Sequence, residues 1–449
     1  MITSTKSMNV DWDGVGAPEA PTAPDSVKQS GLSLAFLNDL LLRILYTRGA
    51  MLGLDLARFT CLPFKVIEES LKFMKDEKIL EVTGGDLIGR VSYRFTLTDL
   101  GRSRAQDALK LCGYVGPAPV PLEDYVEQTY RQAVTGITCS PEPLRASFSH
   151  LVIKDELFNA LGPAIVSGRS VFIYGPPGNG KTSIARSIGD FMNNAGGEIY
   201  VPYAFLAENS IITIYDQSVH HAAEEDPNDR LEDNDATVRR LLNSGTVDAR
   251  WVKIKRPVIV TGGELSLDML DLRYNSGSNY YQAPLHIKAN GGVFLIDDFG
   301  RQLCSPKELL NRWILPLEDR HDFLTLASGK KFEVPFEQLI IFSTNLDPRD
   351  LVDDAFLRRI RHKVEILAPA RDVYEKIFVM NAKRLGMNLC PEAVDFLYER
   401  YYNIGRSPRA SDCRDLLEIV QSICRYRRQP VQLTRELIAE AATSFIAEF

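Results

Sequence analysis

The sequence lacks several features that would place it in a specialised class of protein. Its seven cysteines among 449 residues form no CxxC pair, so neither a zinc site nor a disulfide framework is indicated. No apolar run approaches the length needed to cross a bilayer, and residues 1–30 lack the basic-then-apolar layout of a signal peptide. We therefore expect a cytoplasmic protein with no membrane insertion.

An excess of basic residues is also missing. The formal net charge of -7 argues against a protein that coats nucleic acid through bulk charge, although a local basic face is compatible with it. The contents of 45% hydrophobic and 25% charged residues are ordinary for a globular chain of roughly two to four domains.

The first part of the chain predicts a disordered tail, a small mixed domain and a linker. Residues 1–31 are rich in Pro, Ala, Ser and Asp, which is typical of disorder. Residues 32–112 predict three helices, two strands around a turn at Gly84-Gly85-Asp86, and a closing helix, an order that resembles a winged helix-turn-helix. Residues 113–144 contain Pro117, Pro119 and Pro121 and predict a semi-rigid linker.

The remainder predicts an α/β domain followed by a helical one. In residues 145–369, apolar runs at 170–174, 199–204, 292–296 and 338–343 alternate with helical stretches, which indicates a doubly wound parallel sheet. Residues 370–449 read as a helical lid. The polar passage 216–243 predicts a surface insertion, and we interpret its His220-His221 and Glu224-Glu225-Asp226 as a solvated acidic loop rather than a metal site.

A glycine-rich loop carries the strongest chemical signal in the sequence. The apolar strand 171–174 runs directly into this loop, and a helix follows it, which is the context that a P-loop requires. Its backbone N–H groups curl around phosphate oxygens, Lys181 places a charge on the β and γ phosphates, and the Thr182 hydroxyl ligates Mg²⁺. The predicted ATP-binding residues are Gly175, Pro176, Pro177, Gly178, Asn179, Gly180, Lys181, Thr182 and Ser183.

A pair of carboxylates follows a second apolar strand. The strand 293–296 ends at Asp297-Asp298, which puts both acids at the edge of the sheet where ligands bind in open α/β folds. We predict that Asp297 holds Mg²⁺, together with Thr182, and that Asp298 orients the attacking water. Taken alone, acidic residues after an apolar strand fit an ordinary turn as well as they fit a nucleotide site.

Behind these motifs the chain resembles the AAA+ ATPases over residues 145–449. The strand 339–344 ends at Asn345, which the resemblance implies is the sensor 1 residue that senses the γ-phosphate. Arg359 matches the arginine finger that reaches into a neighbouring subunit, with Arg358 as its close rival, and Arg409 matches the sensor 2 arginine. The resemblance also implies a homo-oligomer, expected to be a hexamer. The alternative interpretations are a solvated helix end for the Arg358-Arg359 pair and an ordinary helix start for Arg409.

Two further details are similar to the MoxR-like and enhancer-binding branch of that family. The segment 284–292 precedes the acidic strand, and the segment 323–334 fits the hairpin that this branch carries before sensor 1. The sequence departs from the family's Asp-Glu pair, because Asp298 is one methylene shorter than glutamate. Tyr274, Tyr280 and Tyr281 border a small-residue loop that we interpret either as a grip on a partner or as buried packing.

Two functions from different classes are compatible with the sequence. The first is a ring-forming remodeller or chaperone-like ATPase that acts on a protein client. The alternative is a DNA-binding transcriptional regulator or DNA motor that uses the winged helix. The predicted recognition helix mixes Lys65, Lys72 and Lys75 with Glu68 and Glu69, and the GAFTGA loop of sigma-factor activators is absent, so we favour remodelling.

Overall fold

The computed structural model describes residues 18–84, 92–137, 139–223, 247–388 and 390–446 of the chain. Its α-helices, numbered in chain order, are α1 Leu34–Arg48, α2 Gly53–Thr60, α3 Phe64–Asp76, α4 Asp99–Leu111, α5 Leu122–Arg131, α6 Pro141–Ser147, α7 Asp155–Val166, α8 Lys181–Ala195, α9 Leu285–Lys288, α10 Pro306–Arg312, α11 Ile314–Asp319, α12 Pro348–Leu351, α13 Asp354–Arg359, α14 Arg371–Arg384, α15 Pro391–Leu397, α16 Ala410–Tyr426 and α17 Arg435–Phe445. Short 3-10 turns lie at Val134–Gly136 and Leu267–Leu270, and a π-helical turn lies at Tyr398–Tyr402.

The strands fall into one parallel sheet and several smaller antiparallel or mixed sheets. In chain order they are β1 Met51–Leu52, β2 Leu80–Thr83, β3 Arg94–Leu97, β4 Val120–Pro121, β5 Val171–Tyr174, β6 Glu198–Pro202, β7 Ala204–Ala207, β8 Ser210–Thr213, β9 Trp251–Lys255, β10 Val258–Thr261, β11 Arg273–Asn275, β12 Tyr280–Gln282, β13 Val293–Ile296, β14 His321–Thr325, β15 Lys331–Pro335, β16 Leu339–Thr344 and β17 His362–Glu365.

The N-terminal unit follows the predicted order of elements, with one additional short strand. The apolar face of α1 is buried, including Leu37 and Leu41, and it packs on α3 and α4. The strands pair antiparallel in the order β1-β3-β2, and Asp86 of the predicted turn lies outside the described residues. Its assignment as a winged helix-turn-helix stays a prediction.

The prediction of a linker over residues 113–144 is wrong, because the described part of this segment is folded into the molecule. Strand β4 pairs with β7, and the ring of Tyr125 on α5 stacks on Phe205 at a centroid distance of 4.8 Å. Ala118 and Val120, which alternate with the prolines, are fully buried. The prolines therefore mark an edge strand rather than a spacer, since proline is tolerated at sheet edges.

Part of the predicted disordered tail is also packed. The buried guanidinium of Arg250 pairs with Asp248 and donates to the carbonyl oxygens of Ser30 at 2.9 Å and Pro119 at 3.2 Å. The side chain of Gln128 donates to the carbonyl oxygen of Glu19. The prediction of disorder is therefore wrong for residues 18–31, because these contacts hold the segment against the folded chain at both of its ends; residues 1–17 lie outside the described residues.

The α/β core is a five-stranded parallel sheet in the order β10-β13-β16-β5-β17. Alternate residues of its strands face two separate apolar cores, as the two-residue period of a strand requires. Val171 and Ile173 pack beneath α8, whereas Phe172 packs with Phe342 on the opposite face, towards α10. This arrangement confirms the predicted α/β fold with a parallel sheet.

One predicted strand of that sheet is misplaced. The segment 199–204 lies mostly in β6, which pairs antiparallel with β9 in a separate two-stranded ribbon. The edge position of the parallel sheet is taken by β10 instead. The apolar pattern of β6 is satisfied by a different core, which contains Ile199 and Ile254.

A β-rich subdomain is formed mainly by the chain between α8 and β13. Its five-stranded sheet has the order β11-β12-β8-β7-β4, in which β4 comes from the segment before α8. The predicted hairpin at 323–334 is present as the antiparallel pair β14-β15, and its Leu324 and Val334 are buried in the same core as Phe205. Of the predicted insertion 216–243, only residues 216–223 are described; Glu224, Glu225 and Asp226 lie outside them.

The C-terminal part, from α14 to α17, is built from helices joined by short connections, has no strand among its described residues, and has a core of its own. Tyr374 and Phe378 on α14 and Leu416 and Leu417 on α16 are fully buried in this core. In the part of the chain that the structure describes, no helix has the length and hydrophobicity needed to cross a membrane.

Candidate nucleotide site

Three strands of the parallel sheet deliver the candidate residues to one edge. β5 ends at Tyr174 and leads into the glycine-rich loop, β13 ends before Asp297, and β16 ends before Asn345. Because the three strands are parallel neighbours, their carboxyl ends meet at the same place. The structure thus brings together residues that lie up to 170 positions apart in the sequence.

The glycine-rich loop has a backbone that only glycine adopts easily. Gly175 and Gly178 have φ angles of +138° and +82°. A Cβ atom at Gly175 would lie 2.3 Å from the carbonyl oxygen of Ile366, so β17 packs directly against the start of the loop. The loop is therefore shaped by its glycines into a turn in front of α8.

Lys181 begins α8 and turns back over the loop. Its Nζ donates to the carbonyl oxygens of Gly175 at 2.9 Å and Pro176 at 2.8 Å. Burial lowers the pKa of Lys181, while the carboxylates of Asp298 and Asp297 act in the opposite direction. The buried ammonium group is thus held at the mouth of the loop, where a phosphate group can replace the carbonyl oxygens as its acceptor.

Thr182 and Asp297 are in direct contact across the sheet edge. The Thr182 hydroxyl donates to Asp297 Oδ1 at 3.0 Å. A hydroxyl and a carboxylate are oxygen ligands of the kind that Mg²⁺ prefers, and the ion commonly uses one or two such protein groups together with substrate phosphates and water. The predicted pair fits a magnesium site, and Ser183 follows it on the same helix.

Asp298 occupies an unusual backbone conformation. Its φ angle is +48°, in the left-handed region, which aspartate tolerates better than most residues. The amide of Asn345 donates to its Oδ1 at 3.0 Å.

The sequence did not point to Gln302, which organises the same turn. Its Nε2 donates to the carbonyl oxygens of Asp297 at 2.9 Å and Asp298 at 3.1 Å, and its Oε1 accepts from the N–H of Gly300 at 2.7 Å. Gln302 thereby fixes the backbone of the turn that carries both acidic residues. An exposed-looking glutamine after an acidic pair carries no signal of this role in a single sequence.

Arg409 lies next to the glycine-rich loop, although it comes from the helical unit. A Cβ atom at Gly178 would lie 3.3 Å from Cδ of Arg409. The neighbouring Ser411 N–H donates to the carbonyl oxygen of Gly178 at 2.8 Å. The helical unit therefore covers this side of the loop.

The two candidate finger arginines differ in their contacts. Arg359 forms an ion pair with Glu318 at 2.7 Å and lies 5.4 Å from the ring centroid of Phe356. Arg358 is exposed and has no ion pair among the described residues. Neither arginine joins the cluster at the carboxyl end of the sheet, which leaves a role towards another molecule open to both.

The predicted tyrosine loop is a packed hairpin. Tyr281 is buried, and its hydroxyl accepts from the N–H of Ala327 at 3.0 Å, while Tyr280 packs edge-on against Tyr114. The backbone N–H of Gly113 donates to Ser278, and Asn279 donates to Lys110. The loop is thus occupied by the N-terminal unit, which favours the packing interpretation over a grip on a partner.

Both ring nitrogens of His220 are hydrogen-bonded to backbone groups. Its Nδ1 accepts from the N–H of Asp216 at 3.0 Å, and its Nε2 donates to the carbonyl oxygen of Lys288 at 2.8 Å. Within the ranges that the structure describes, no group of three or more His, Cys, Asp or Glu residues is arranged to hold a metal ion. These contacts leave His220 only 1% exposed, so the prediction of a solvated loop is wrong for this residue.

Comparisons with known proteins give one partial sequence match and several remote structural ones. A family described as a domain of unknown function (DUF8689) matches residues 370–444, and no curated protein matches the chain. Solved structures with some similarity include NtrX from Brucella abortus in complex with ADP, at 15% identity and a TM-score of 0.40, covering 68% of this chain and 58% of that one.

Two other solved structures come from Thermotoga maritima. The RuvB Holliday junction branch migration motor has 15% identity and a TM-score of 0.34, covering 70% of this chain and 72% of its own. Domain III of the replication initiation protein DnaA has 14% identity and a TM-score of 0.35, and the match covers 69% of this chain and 99% of that domain. At these scores the similarities do not by themselves assign a fold or an activity to this chain.

Proposed function

We propose that this chain is an ATP-hydrolysing enzyme of the AAA+ type. The observation that carries the proposal is the convergence of Lys181, Thr182, Asp297, Asp298 and Asn345 on one edge of the parallel sheet, directly beside a glycine-rich loop. A glycine-rich turn with no ligand would not explain why a buried lysine and two carboxylates meet there. Burying a charged group costs free energy, and such groups cluster at functional sites.

Binding of ATP follows from the loop and the start of α8. The backbone N–H groups of the loop and of the helix N-terminus point at the phosphates, and Lys181 neutralises the β and γ phosphates. Thr182 and Asp297 would hold Mg²⁺, which neutralises charge on the β and γ phosphates when bound. Lys181 and Thr182 lie in the first turn of α8, and Asp297 directly follows β13.

Hydrolysis requires a group that orients water towards the γ-phosphorus. We assign this role to Asp298, whose carboxylate is held by Asn345 and by the turn that Gln302 fixes. The water oxygen bonds to the γ-phosphorus as the bond from that phosphorus to the β-γ bridging oxygen breaks, and ADP leaves with the bridging oxygen. Asp298 accepts a hydrogen bond from the water, and the proton that the water loses passes to an oxygen of the released phosphate. Asn345 and Arg409 then serve as groups that respond to the γ-phosphate, as the family resemblance implies.

We further propose that the chain works as a ring of identical subunits, with a hexamer as the family expectation. A finger arginine must be free to reach the neighbouring subunit. Arg359 is engaged with Glu318 inside its own subunit, so we now favour Arg358 for this role and assign Arg359 to stabilising α13 against α11.

The work done with ATP is proposed to be remodelling of a protein client in the cytoplasm. The exposed residues of α3 include Lys65, Lys72 and Lys75 but also Glu69 and Asp76, so this face offers little net charge to DNA phosphates. The N-terminal unit then serves as a protein-docking module, and a DNA-binding regulator or motor is the alternative.

Four measurements test these proposals and the alternative. Steady-state phosphate release from ATP with Mg²⁺ tests the activity, and light scattering with and without ATP tests assembly. Client capture by the Asp298→Asn variant, compared with Lys181→Ala as the matched control, tests remodelling. Fluorescence anisotropy with a labelled DNA duplex tests the alternative: tight binding that falls steeply with salt would favour DNA over a protein client.

A further inference from the structure

The N-terminus of α16 rests on the glycine-rich loop. The N–H of Ala410 donates to Oδ1 of Asn179 at 3.3 Å, and the N–H of Ser411 donates to the carbonyl oxygen of Gly178 at 2.8 Å. The first N–H groups of a helix have no partner within the helix, and a side chain just before the helix usually caps them. Arg409 occupies that N-cap position and makes no such bond. The glycine-rich loop, called the phosphate loop below after its proposed role, therefore supplies the cap.

The contact is tight and leaves Asn179 little freedom. Asn179 is 8% exposed, and its buried Nδ2 has no hydrogen-bond partner among the described residues. A Cβ atom at Gly178 would lie 2.6 Å from Oγ of Ser411. Leaving a buried amide nitrogen without a partner costs free energy, so Nδ2 does not hold the side chain in place. The bond from the N–H of Ala410 to Oδ1 therefore sets the orientation of Asn179.

The other side of the same segment is anchored within the helical unit. Asp412 is 1% exposed and accepts hydrogen bonds from Nη2 of Arg406 at 3.1 Å and from the hydroxyl of Tyr402 at 3.0 Å. The bond between Arg406 and Asp412 thus links the two ends of the segment 406–412, which includes Arg409, and the N–H groups of Ala410 and Ser411 join this segment to the loop.

We infer that Asn179 is a positioning residue that caps α16 and thereby holds Arg409 beside Gly178. The cap couples the phosphate loop to the helical unit, so a change in the loop on nucleotide binding is transmitted to α16 and to Arg409. The capping contact stands on geometry alone, whereas its effect on ATP rests on the proposed function. The two parts therefore have separate tests.

Hydrogen exchange of the nucleotide-free full-length protein tests the cap. Asn179→Ala removes the acceptor, and we expect the amides of residues 410–412 to exchange about fivefold to tenfold faster, the range expected for loss of an N-cap. Asn179→Asp keeps an acceptor oxygen and should retain the protection. Asn403→Ala, which changes an exposed asparagine of the helical unit, is the matched control. Equal exchange in Asn179→Ala and the wild type would overturn the inference.

Nucleotide affinity tests the positioning of Arg409. In titrations with ATP and ADP, both Asn179→Ala and Arg409→Ala should lower the preference for ATP over ADP, and the double variant should be no worse than Arg409→Ala alone. Faster exchange together with an unchanged preference would show that the cap is structural only and would overturn the positioning role. If the wild type binds no nucleotide, the proposed function fails while the exchange result still decides the cap.

Discussion

The amide of Asn345 donates a hydrogen bond of 3.0 Å to Oδ1 of Asp298, and this bond links the ends of two neighbouring strands. Asp298 reaches it from a backbone with φ of +48°, and Asn345 follows the last residue of β16. The candidate sensor of the γ-phosphate and the candidate water-orienting carboxylate are therefore one unit, and a shift of either residue moves the other.

This link gives a prediction for Asp298→Asn. The variant keeps the size of the side chain and removes the charge that orients water, so nucleotide affinity should stay close to the wild-type value while kcat falls by about 10²- to 10⁴-fold. Binding is measured by titration and turnover by phosphate release. Hydrolysis at the wild-type rate would show that Asp298 does not orient the water.

Alanine variants of the two candidate finger arginines are predicted to have different phenotypes. Arg358→Ala should leave the unfolding midpoint unchanged but abolish the rise of activity per chain with protein concentration. Arg359→Ala should instead lower the free energy of unfolding by about 1 kcal/mol or less, because its ion pair with Glu318 is only partly buried.

Mixed assemblies provide the control for the finger. Inactive Arg358→Ala chains mixed with inactive Lys181→Ala chains should regain activity, because an intact site can receive the finger of its neighbour. Light scattering confirms that the mixed chains assemble. If mixing with Lys181→Ala restores ATPase activity to Arg359→Ala chains but not to Arg358→Ala chains, Arg359 is the finger.

Tyr281 is predicted to matter for stability rather than for gripping a client. It is 7% exposed and packs in the core of the β-rich subdomain, so Tyr281→Ala should lower the free energy of unfolding by about 3–5 kcal/mol. Tyr426→Ala, which removes a tyrosine that is 89% exposed, is the control and should leave stability unchanged. A Tyr281→Ala variant as stable as the wild type would refute the packing interpretation.

Acidification is predicted to weaken the fold through buried histidines. Burial lowers the pKa of His286 below its ordinary value of 6.5, although the bond to Asp322 acts against this, and burial also lowers the pKa values of His220 and His362. Such groups contribute stability that is present above pH 6.5 and is lost as the pH falls towards the folded-state pKa. The thermal midpoint should therefore fall between about pH 7 and pH 5.

The contribution of His286 can be isolated with His286→Gln. Its midpoint should fall less steeply with pH than that of the wild type, whereas His221→Gln, at an exposed histidine, should keep the wild-type slope. Burial raises the pKa of Asp322, but hydrogen bonds from His286 and Arg312 outweigh this and leave it below 3.8, so Asp322 acts only at lower pH. An unchanged slope in His286→Gln would contradict the assignment.

The sequence predicted those parts of the site that depend on local pattern. Lys181, Asp297 and Asn345 each follow an apolar strand, and the parallel sheet then brings them together. The sequence could not predict partners that are set by tertiary contacts, such as Gln302 on the acidic turn or Glu318 on Arg359.

The misplaced elements have the same physical origin. An apolar run shows that a strand is buried but not which core buries it, so β6 was assigned to the parallel sheet although it pairs with β9, about 50 residues further on. The prolines of residues 113–121 indicate an irregular backbone, but only the contact with β7 shows that the segment is an edge strand.

The central claim is that ATP is hydrolysed at the loop that Lys181 closes. The most direct measurement is phosphate release from ATP and Mg²⁺ by wild-type, Lys181→Ala and Asp298→Asn protein, each checked for an unchanged unfolding midpoint. We predict turnover by the wild type alone, with tight ATP binding kept by Asp298→Asn and lost by Lys181→Ala. Wild-type protein that releases no phosphate at any concentration, or a Lys181→Ala variant that turns over ATP at the wild-type rate, would contradict the account.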